Sequence, residues 1–142
     1  MYLDDLSYTI VGLAMLVQNR YGYGHQELIY QRALKEAFTK EGLVFIAQPK
    51  LEVRSWDTNE ILGWYIPDFI IGDKIILEIK ATSMNVKRFQ EQLKSYLRTS
   101  KYEVGYLMNF GIQPLYYERF LHTADRKQRP IHPSSSVSIR PD

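Results

Sequence analysis

Apolar and polar residues recur along this chain with two different periods. Near the start, the apolar positions recur at spacings of four, three and four residues: Leu6, Ile10, Leu13 and Val17. This spacing predicts an amphipathic helix over residues 4–20. A second helix is predicted over residues 25–40, because its apolar residues share one face and Gly42 offers a stop.

The centre of the chain has the short period of β-strands. Apolar residues alternate around Pro49 and predict a first strand over residues 43–54. Two further β-rich runs, residues 64–71 and 75–80, flank Gly72-Asp73-Lys74, which has the composition of a hairpin connection. The sequence therefore predicts three consecutive strands, of which the last two form a hairpin.

The apolar pattern then predicts a third helix over residues 86–99. The apolar run over residues 103–110 is typical of a central strand that packs on both faces. Because a helix separates this strand from residues 75–80, we expect the two strands to run parallel. An outer strand is predicted over residues 115–122.

Prolines, serines and charges dominate residues 123–142, and large apolar residues are scarce there. This composition predicts a flexible C-terminal tail. We therefore expect a single domain over residues 1–122.

The register of the predicted hairpin decides whether its charged residues can act together, because side chains alternate between faces along a strand. With a two-residue loop, Asp68 would face away from Glu78. With a three-residue loop, Ile71 pairs with Ile75, and Asp68 lies opposite Glu78. The longer loop also collects apolar residues on the other face: Phe69, Ile71, Ile75, Leu77 and Ile79. We therefore predict the three-residue loop, or an equivalent bulge at Pro67.

In this register the Cβ atoms of Asp68 and Glu78 would lie roughly 5 Å apart. Two carboxylates at that distance repel each other by roughly 3 to 4 kcal/mol at an effective dielectric constant of about 20. Either a bound proton or a divalent cation would relieve the repulsion. Oxygen ligands favour Mg²⁺ or Mn²⁺ over zinc. Lys80 follows on the same face, where its ammonium could polarise a water or stabilise an oxyanion.

Composition and charge narrow the class of protein. A chain of 142 residues is long enough for one domain with a core. It has no cysteine, which excludes disulfides and thiolate metal sites and suits the reducing cytoplasm, where we expect it. The apolar run over residues 10–17 is too short for a membrane span, so we expect no membrane association. A net charge of +2 is too small to predict nucleic-acid binding by itself.

Several motifs follow one another in a characteristic order. Pro67-Asp68, nine further residues and then Glu78-Ile79-Lys80 resemble the signature of the PD-(D/E)XK nuclease superfamily. Three segments accompany that signature: GHQELIY at residues 24–30, QLKSY at residues 92–96 and NFG at residues 109–111. In this order, the motifs resemble the GxxExxY protein family, a branch of that superfamily, over residues 10–120.

This resemblance implies a fold and an activity. The expected fold is α/β, a restriction-endonuclease-like core in which a mixed β-sheet of about four or five strands is flanked by helices, in the order ααβββαββ. The expected activity is metal-dependent hydrolysis of phosphodiester bonds in nucleic acid, DNA rather than RNA, leaving a 5′-phosphate. The expected cofactor is Mg²⁺ or Mn²⁺.

The resemblance also implies a role for particular residues. Asp68, Glu78, Lys80 and Glu27 are the expected catalytic residues. Asp68, Glu78 and the backbone carbonyl of Ile79 would hold the metal, and Glu27 would join them directly or through water. On its spacing alone, Glu27 would instead complement the dipole at the start of a helix.

The resemblance also implies that Gln92 and Tyr96 contact the substrate, because exonuclease-like branches of the superfamily have a similar Gln-x-x-x-Tyr segment beside the site. Their spacing of four residues places both on one face of the third helix. The alternative is an ordinary helix surface with Tyr96 half-buried.

Two other functions fit the same sequence. One is a module that binds nucleic acid without cleaving it. The other is an assembly module, in which the outer strand over residues 115–122 and some of the 11 tyrosines form a homodimer interface.

Overall fold

The protein is described by a computed structural model that covers residues 3–123 and the backbone of residues 139–140. These residues contain three helices: α1 Leu3–Tyr21, α2 Glu27–Glu41 and α3 Lys87–Thr99. They also contain eight strands: β1 Phe45–Ala47, β2 Leu51–Arg54, β3 Ile61–Tyr65, β4 Phe69–Ile71, β5 Ile75–Lys80, β6 Val104–Asn109, β7 Tyr116–Leu121 and β8 Ile139–Arg140. Apart from Thr123 and β8, the predicted tail lies outside the described residues. Among the described helices, none is long and apolar enough to cross a membrane.

The first two helices confirm what the apolar spacing predicts. Both α1 and α2 place their buried residues in one core against the central sheet. α2 ends at Gly42, whose φ of 78° lies in the left-handed region that favours glycine. The N–H of Gly42 bonds to the carbonyl of Thr39 at 3.1 Å, so the predicted stop is confirmed.

Two of the predicted strands are each divided in two. Between β1 and β2, Gln48 has a left-handed φ of 51°, and Pro49 has no N–H to donate to a strand ladder. Between β3 and β4 lies Pro67, the position at which the sequence predicts a bulge as the alternative. Within the described residues, five strands therefore precede α3, where the sequence predicts three.

The central sheet has five strands in the order β1-β4-β5-β6-β7. β5 and β6 run parallel, as the crossover through α3 predicts, and the other neighbours are antiparallel. β2, β3 and β8 form a second, antiparallel sheet. This mixed sheet with flanking helices confirms the predicted α/β, restriction-endonuclease-like architecture.

The hairpin between β4 and β5 has the predicted three-residue loop. Ile71 pairs with Ile75, and the N–H of Lys74 bonds to the carbonyl of Ile71 at 3.1 Å. The predicted apolar face packs in the core that α1 and α2 cover. Ile70 and Ile76 point the other way and pack with α3. The register prediction is therefore confirmed.

Candidate functional site

Asp68 and Glu78 meet where β4 ends beside β5. The last residues of these strands to pair are Phe69 and Leu77, and the two acids are the next positions out. The backbone N–H of Asp68 donates to Oε1 of Glu78 at 3.1 Å. The N–H of Ile79 donates to Oδ2 of Asp68 at 2.8 Å. The Asp68 carboxylate thus bonds to β5 at the point where the neighbouring strand has ended.

Burial and mutual repulsion favour protonation of this pair of acids. Glu78 is only 7% exposed. Burial, followed by the charge of Asp68, raises the pKa of Glu78 to about 7, although the charge of Lys80 opposes the rise. Burial also raises the pKa of Asp68, against the hydrogen bond from Ile79 and the charge of Lys80. Without a cation, the pair therefore carries less than two full negative charges at neutral pH.

The charge of Lys80 acts on both acids, since it opposes the rise in the pKa of each. Its side chain is 21% exposed, and its Nζ atom lies 4.0 Å from Oε1 of Glu27. The same atom lies 4.2 Å from the centroid of the Phe89 ring on α3. The ammonium is therefore held between the first turn of α2 and α3.

Glu27 is the first residue of α2 and contacts the site through Lys80. Burial raises the pKa of Glu27; the charge of Lys80 opposes this rise, and the charge of Asp68 adds to it. Within the described part of the chain, no group of three or more histidine, cysteine, aspartate or glutamate residues is arranged to hold a metal ion. Glu27 therefore does not complete a three-carboxylate cluster with the pair in this structure.

Gln31 is a site residue that the sequence analysis missed. Its Nε2 donates to Oδ1 of Asp68 at 2.8 Å, so each carboxylate oxygen of Asp68 accepts a hydrogen bond. Gln31 lies four residues after Glu27 on α2, and residues at that spacing share a helix face. That spacing was the available signal: a polar side chain on the same face as the predicted glutamate.

Tyr30 fixes the start of α2. Its hydroxyl donates to the carbonyl of Gly22 at 2.7 Å and accepts the N–H of His25 at 3.1 Å. Its fully buried ring stacks on that of Phe110, with centroids 4.7 Å apart. The turn before α2 is therefore tied to the core, which fixes the position of Glu27 at the start of the helix.

Asn109 and Gly111 fix the loop that follows Lys80. The side chain of Asn109 accepts the N–H of Thr82 at 3.1 Å and donates to its carbonyl at 2.8 Å. A Cβ atom added at Gly111 would lie 2.3 Å from the backbone nitrogen of Thr82, so only glycine fits there. The NFG motif therefore has a structural role at the C-terminal end of β5.

The two predicted substrate contacts differ in exposure. Tyr96 is 4% exposed and stacks on Tyr65, with ring centroids 4.0 Å apart. Burial, followed by the charge of Glu78, raises the pKa of Tyr65, whose hydroxyl lies near Glu78 without a hydrogen bond of ordinary geometry. Gln92, one helical turn before Tyr96, is exposed on α3. The helix therefore places Tyr96 behind the acid pair and Gln92 at the surface.

A cleft of about 400 Å³ opens at Lys80. Its walls come from the start of α2, the end of β5, the loop after it and the start of α3: Glu27, Lys80, Ala81, Thr82, Met84, Asn85, Arg88 and Phe89. A larger cleft of about 520 Å³ lies along α2 and contains none of the predicted site residues. The chemistry of the side chains therefore identifies the candidate site, and the size of the cavity does not.

Comparison with known proteins agrees with this geometry. A family model described as the PD-(D/E)XK nuclease superfamily matches residues 4–120. The matched range includes the acid pair, Lys80, Glu27 and the two predicted substrate contacts. No curated protein and no solved structure matches the chain significantly. Because the family model spans most of the chain, the protein belongs to the PD-(D/E)XK nuclease superfamily.

Proposed function

We propose that this protein is a nuclease that uses a divalent metal ion to hydrolyse phosphodiester bonds, in DNA rather than RNA. The observation that carries the proposal is the pairing of the half-buried Asp68 with the buried Glu78 at one edge of the sheet, where the charge of Lys80 acts on both. Nucleases of this superfamily generally use divalent metals.

We also assign the protein to the GxxExxY branch of the superfamily. Two of the motif's residues have roles that suit such a site: Glu27 lies 4.0 Å from the Lys80 amine, and Tyr30 ties down the turn before it. Gly24 belongs to that turn. The motif thus serves to place one glutamate against the catalytic lysine.

The donor set fits a hard divalent cation. An ion between Asp68 and Glu78 would remove the repulsion that contributes to the raised pKa of Glu78. The N–H and C=O of one strand residue point to the same side, so the Ile79 carbonyl faces the same edge as its N–H, which bonds to Asp68. These three residues would hold Mg²⁺ or Mn²⁺, with Glu27 joining through water. Water and substrate phosphate would fill the other positions, as Mg²⁺ prefers.

Each residue of the site has its own role in the proposed reaction. When bound, the cation supplies Lewis acidity and activates water. Lys80 positions the attacking water and offsets the negative charge that develops on the phosphate. Glu27 restrains the Lys80 amine, while Gln31 and the N–H of Ile79 orient the two oxygens of Asp68. Water adds to phosphorus, the bond to the 3′-oxygen breaks, and the product keeps a 5′-phosphate.

Gln92 and Tyr96 have separate parts in this proposal. The exposed amide of Gln92 contacts the substrate from the surface of α3. Tyr96 and the Tyr65 ring stacked on it form the wall behind Glu78 and maintain its burial.

The test is cleavage of linear, circular and single-stranded nucleic acids with Mn²⁺ or Mg²⁺. We expect the parent protein to cleave with either metal and to be inactive in EDTA. Lys80→Ala and Asp68→Ala should each lose about 10²-fold or more. Lys74→Ala is the matched control, since it removes the same charge as Lys80→Ala from an exposed position in the hairpin loop.

Unchanged cleavage by Asp68→Ala would contradict the assigned site. Binding that persists in EDTA, without cleavage under either metal, would instead favour a module that binds nucleic acid without cutting it.

The homodimer alternative depends on β7, an outer strand of the central sheet. Its middle residues are Glu118 and Arg119. A two-fold axis centred on an antiparallel pair of β7 strands would place one of these residues opposite its own copy. Like charges at such positions disfavour pairing. We therefore expect a monomer in sedimentation experiments.

A further inference from the structure

The second sheet carries an exposed tryptophan with a lysine over its ring. Trp64 in β3 is 49% exposed, and Nζ of Lys50 lies 4.3 Å from the ring centroid. Side chains alternate along a strand, so Trp64 and Tyr65 point to opposite faces of β3. Tyr65 points inward, toward Glu78 and α3, which leaves Trp64 on the outer face.

Trp64 is part of an exposed apolar stripe that leads toward the acid pair. Leu62 and Ile66, two residues to either side, are 70% and 53% exposed. Such a stripe at alternate positions indicates a binding surface, because isolated exposed apolar residues are common but contiguous ones are not.

The charges around Trp64 favour an anionic partner. Among the described residues, no carboxylate lies within 4.0 Å of the Lys50 amine. Glu52 pairs with Trp64 across the strands, but its carboxylate is bound by Arg54 at 2.5 to 3.0 Å. The other acids of this hairpin lie at its tip, at the end away from the site: Asp57 and Glu60. Within the part of the chain that the structure describes, the positive charge on the tryptophan face is therefore not neutralised nearby.

The position of Trp64 relates it to the proposed cleavage site. Asp68 follows Trp64 by four positions, which corresponds to at most about 14 Å of extended chain. At a rise of about 3.4 Å for each stacked nucleotide, this span equals about four nucleotides. A strand held at the acid pair therefore has only this short distance to cover before it reaches β3, whose outer face carries the tryptophan.

We propose that Trp64 and Lys50 form a platform for single-stranded nucleic acid, on which Trp64 stacks with a base and Lys50 pairs with a phosphate. The platform rests on the proposed nuclease function and lies within about four nucleotides of the bond that is cut. Bases in a duplex are already stacked on each other, so the platform favours single-stranded substrate.

The test measures binding of a fluorescent 12-nucleotide oligo(dT) in EDTA, where no cleavage occurs. We expect Trp64→Ala to weaken binding about tenfold or more and Trp64→Phe to retain most of it. Lys50→Ala should lower the slope of log K against log salt by about 0.7. Tyr8→Ala and Lys40→Ala are the controls, since they remove an exposed aromatic side chain from α1 and an exposed lysine from α2, both away from the stripe.

Fluorescence gives an independent measure, because the chain has two tryptophans. In a Trp56→Phe background the signal comes from Trp64 alone, and oligo(dT) should quench it while a duplex of equal length should quench it less.

Three outcomes would overturn the platform: no binding of oligo(dT) by the parent, equal losses in Trp64→Ala and Tyr8→Ala, or self-association of the parent that Trp64→Ala abolishes. The last would assign the surface to a second copy of the chain. Loss of binding in Trp64→Ala, combined with no cleavage by the parent, would retain the platform and reject the nuclease. Cleavage by the parent with unchanged binding in Trp64→Ala would retain the nuclease and reject the platform.

Discussion

Replacing Glu78 with glutamine should make the metal-free protein more stable at alkaline pH. The substitution keeps the size of a nearly buried side chain and removes its charge. Burial and the neighbouring charge of Asp68 raise the pKa of Glu78 from 4.5 to about 7 in the folded protein. The folded state therefore binds a proton more tightly than the unfolded chain does.

The sign of the effect follows from this difference in proton binding. Between pH 4.5 and about 7 the folded protein holds more protons, so its free energy of unfolding falls as pH rises. At about 1.4 kcal/mol for each pKa unit, the loss amounts to about 3 kcal/mol across that window. The loss belongs to the coupled pair of acids, because Asp68 titrates with Glu78.

Urea unfolding in EDTA at pH 5 and pH 8 measures the effect. The parent should lose about 3 kcal/mol between these values relative to Glu78→Gln, whose curve should be flatter. Adding Mg²⁺ or Mn²⁺ at pH 8 should stabilise the parent, because an ion that binds only the folded state shifts the equilibrium. The variant should gain much less from the metal.

Parallel pH profiles of the parent and Glu78→Gln in EDTA would refute this reasoning, since they would mean that Glu78 is not destabilised when ionised. Equal stabilisation of both proteins by metal would refute the assignment of Glu78 as a ligand. Glu36→Gln serves as the control for removal of an acid, because Glu36 is exposed on α2.

Three further substitutions test the supports of the site. Tyr30→Phe removes a hydroxyl that makes two hydrogen bonds to the turn before α2, and should lower the free energy of unfolding by about 1 to 2 kcal/mol in urea titrations. Gly111→Ala forces a Cβ against the backbone of Thr82 and should lower the free energy of unfolding by about 2 kcal/mol or more. Normal stability of this variant would contradict the prediction. Gln31→Ala removes a hydrogen bond that lowers the pKa of Asp68, so the acidic limb of the pH–rate profile should move to higher pH. If the acidic limb does not move, Gln31 has no part in the reaction.

The sequence could predict the hairpin and the grouping of its charges because both depend on local rules. The three-residue loop and strict alternation place Asp68 and Glu78 together without knowledge of the rest of the fold. Lys80 follows from the same alternation. These positions needed only the period of a β-strand and a loop of the right length.

The residues that support the pair depend on the packing of distant elements. Gln31 reaches Asp68 only because α2 packs against β5. The sequence could not predict the position of Tyr65, because the strand is interrupted at Pro67. In one continuous strand Tyr65 would share the face of Phe69, but in the structure it packs in the opposite core with Tyr96. One irregular position in a strand is enough to turn the neighbouring side chains to the opposite face. The sequence does not show where that irregular position lies.

The charges around the pair explain why a divalent ion and a nucleic acid would bind there together. When all three are ionised, the acids Asp68, Glu78 and Glu27 outnumber the two cations of the cleft, Lys80 and Arg88, so the site carries a net negative charge. Such a site repels a phosphate until a divalent cation neutralises it. Binding of nucleic acid at the acid pair should therefore require the metal, whereas binding at Trp64 and Lys50, which have no unpaired acid close by among the described residues, should not. In footprinting with a non-cleavable strand, protection at the acid pair should therefore depend on Ca²⁺. Protection at the tryptophan should be the same with and without Ca²⁺.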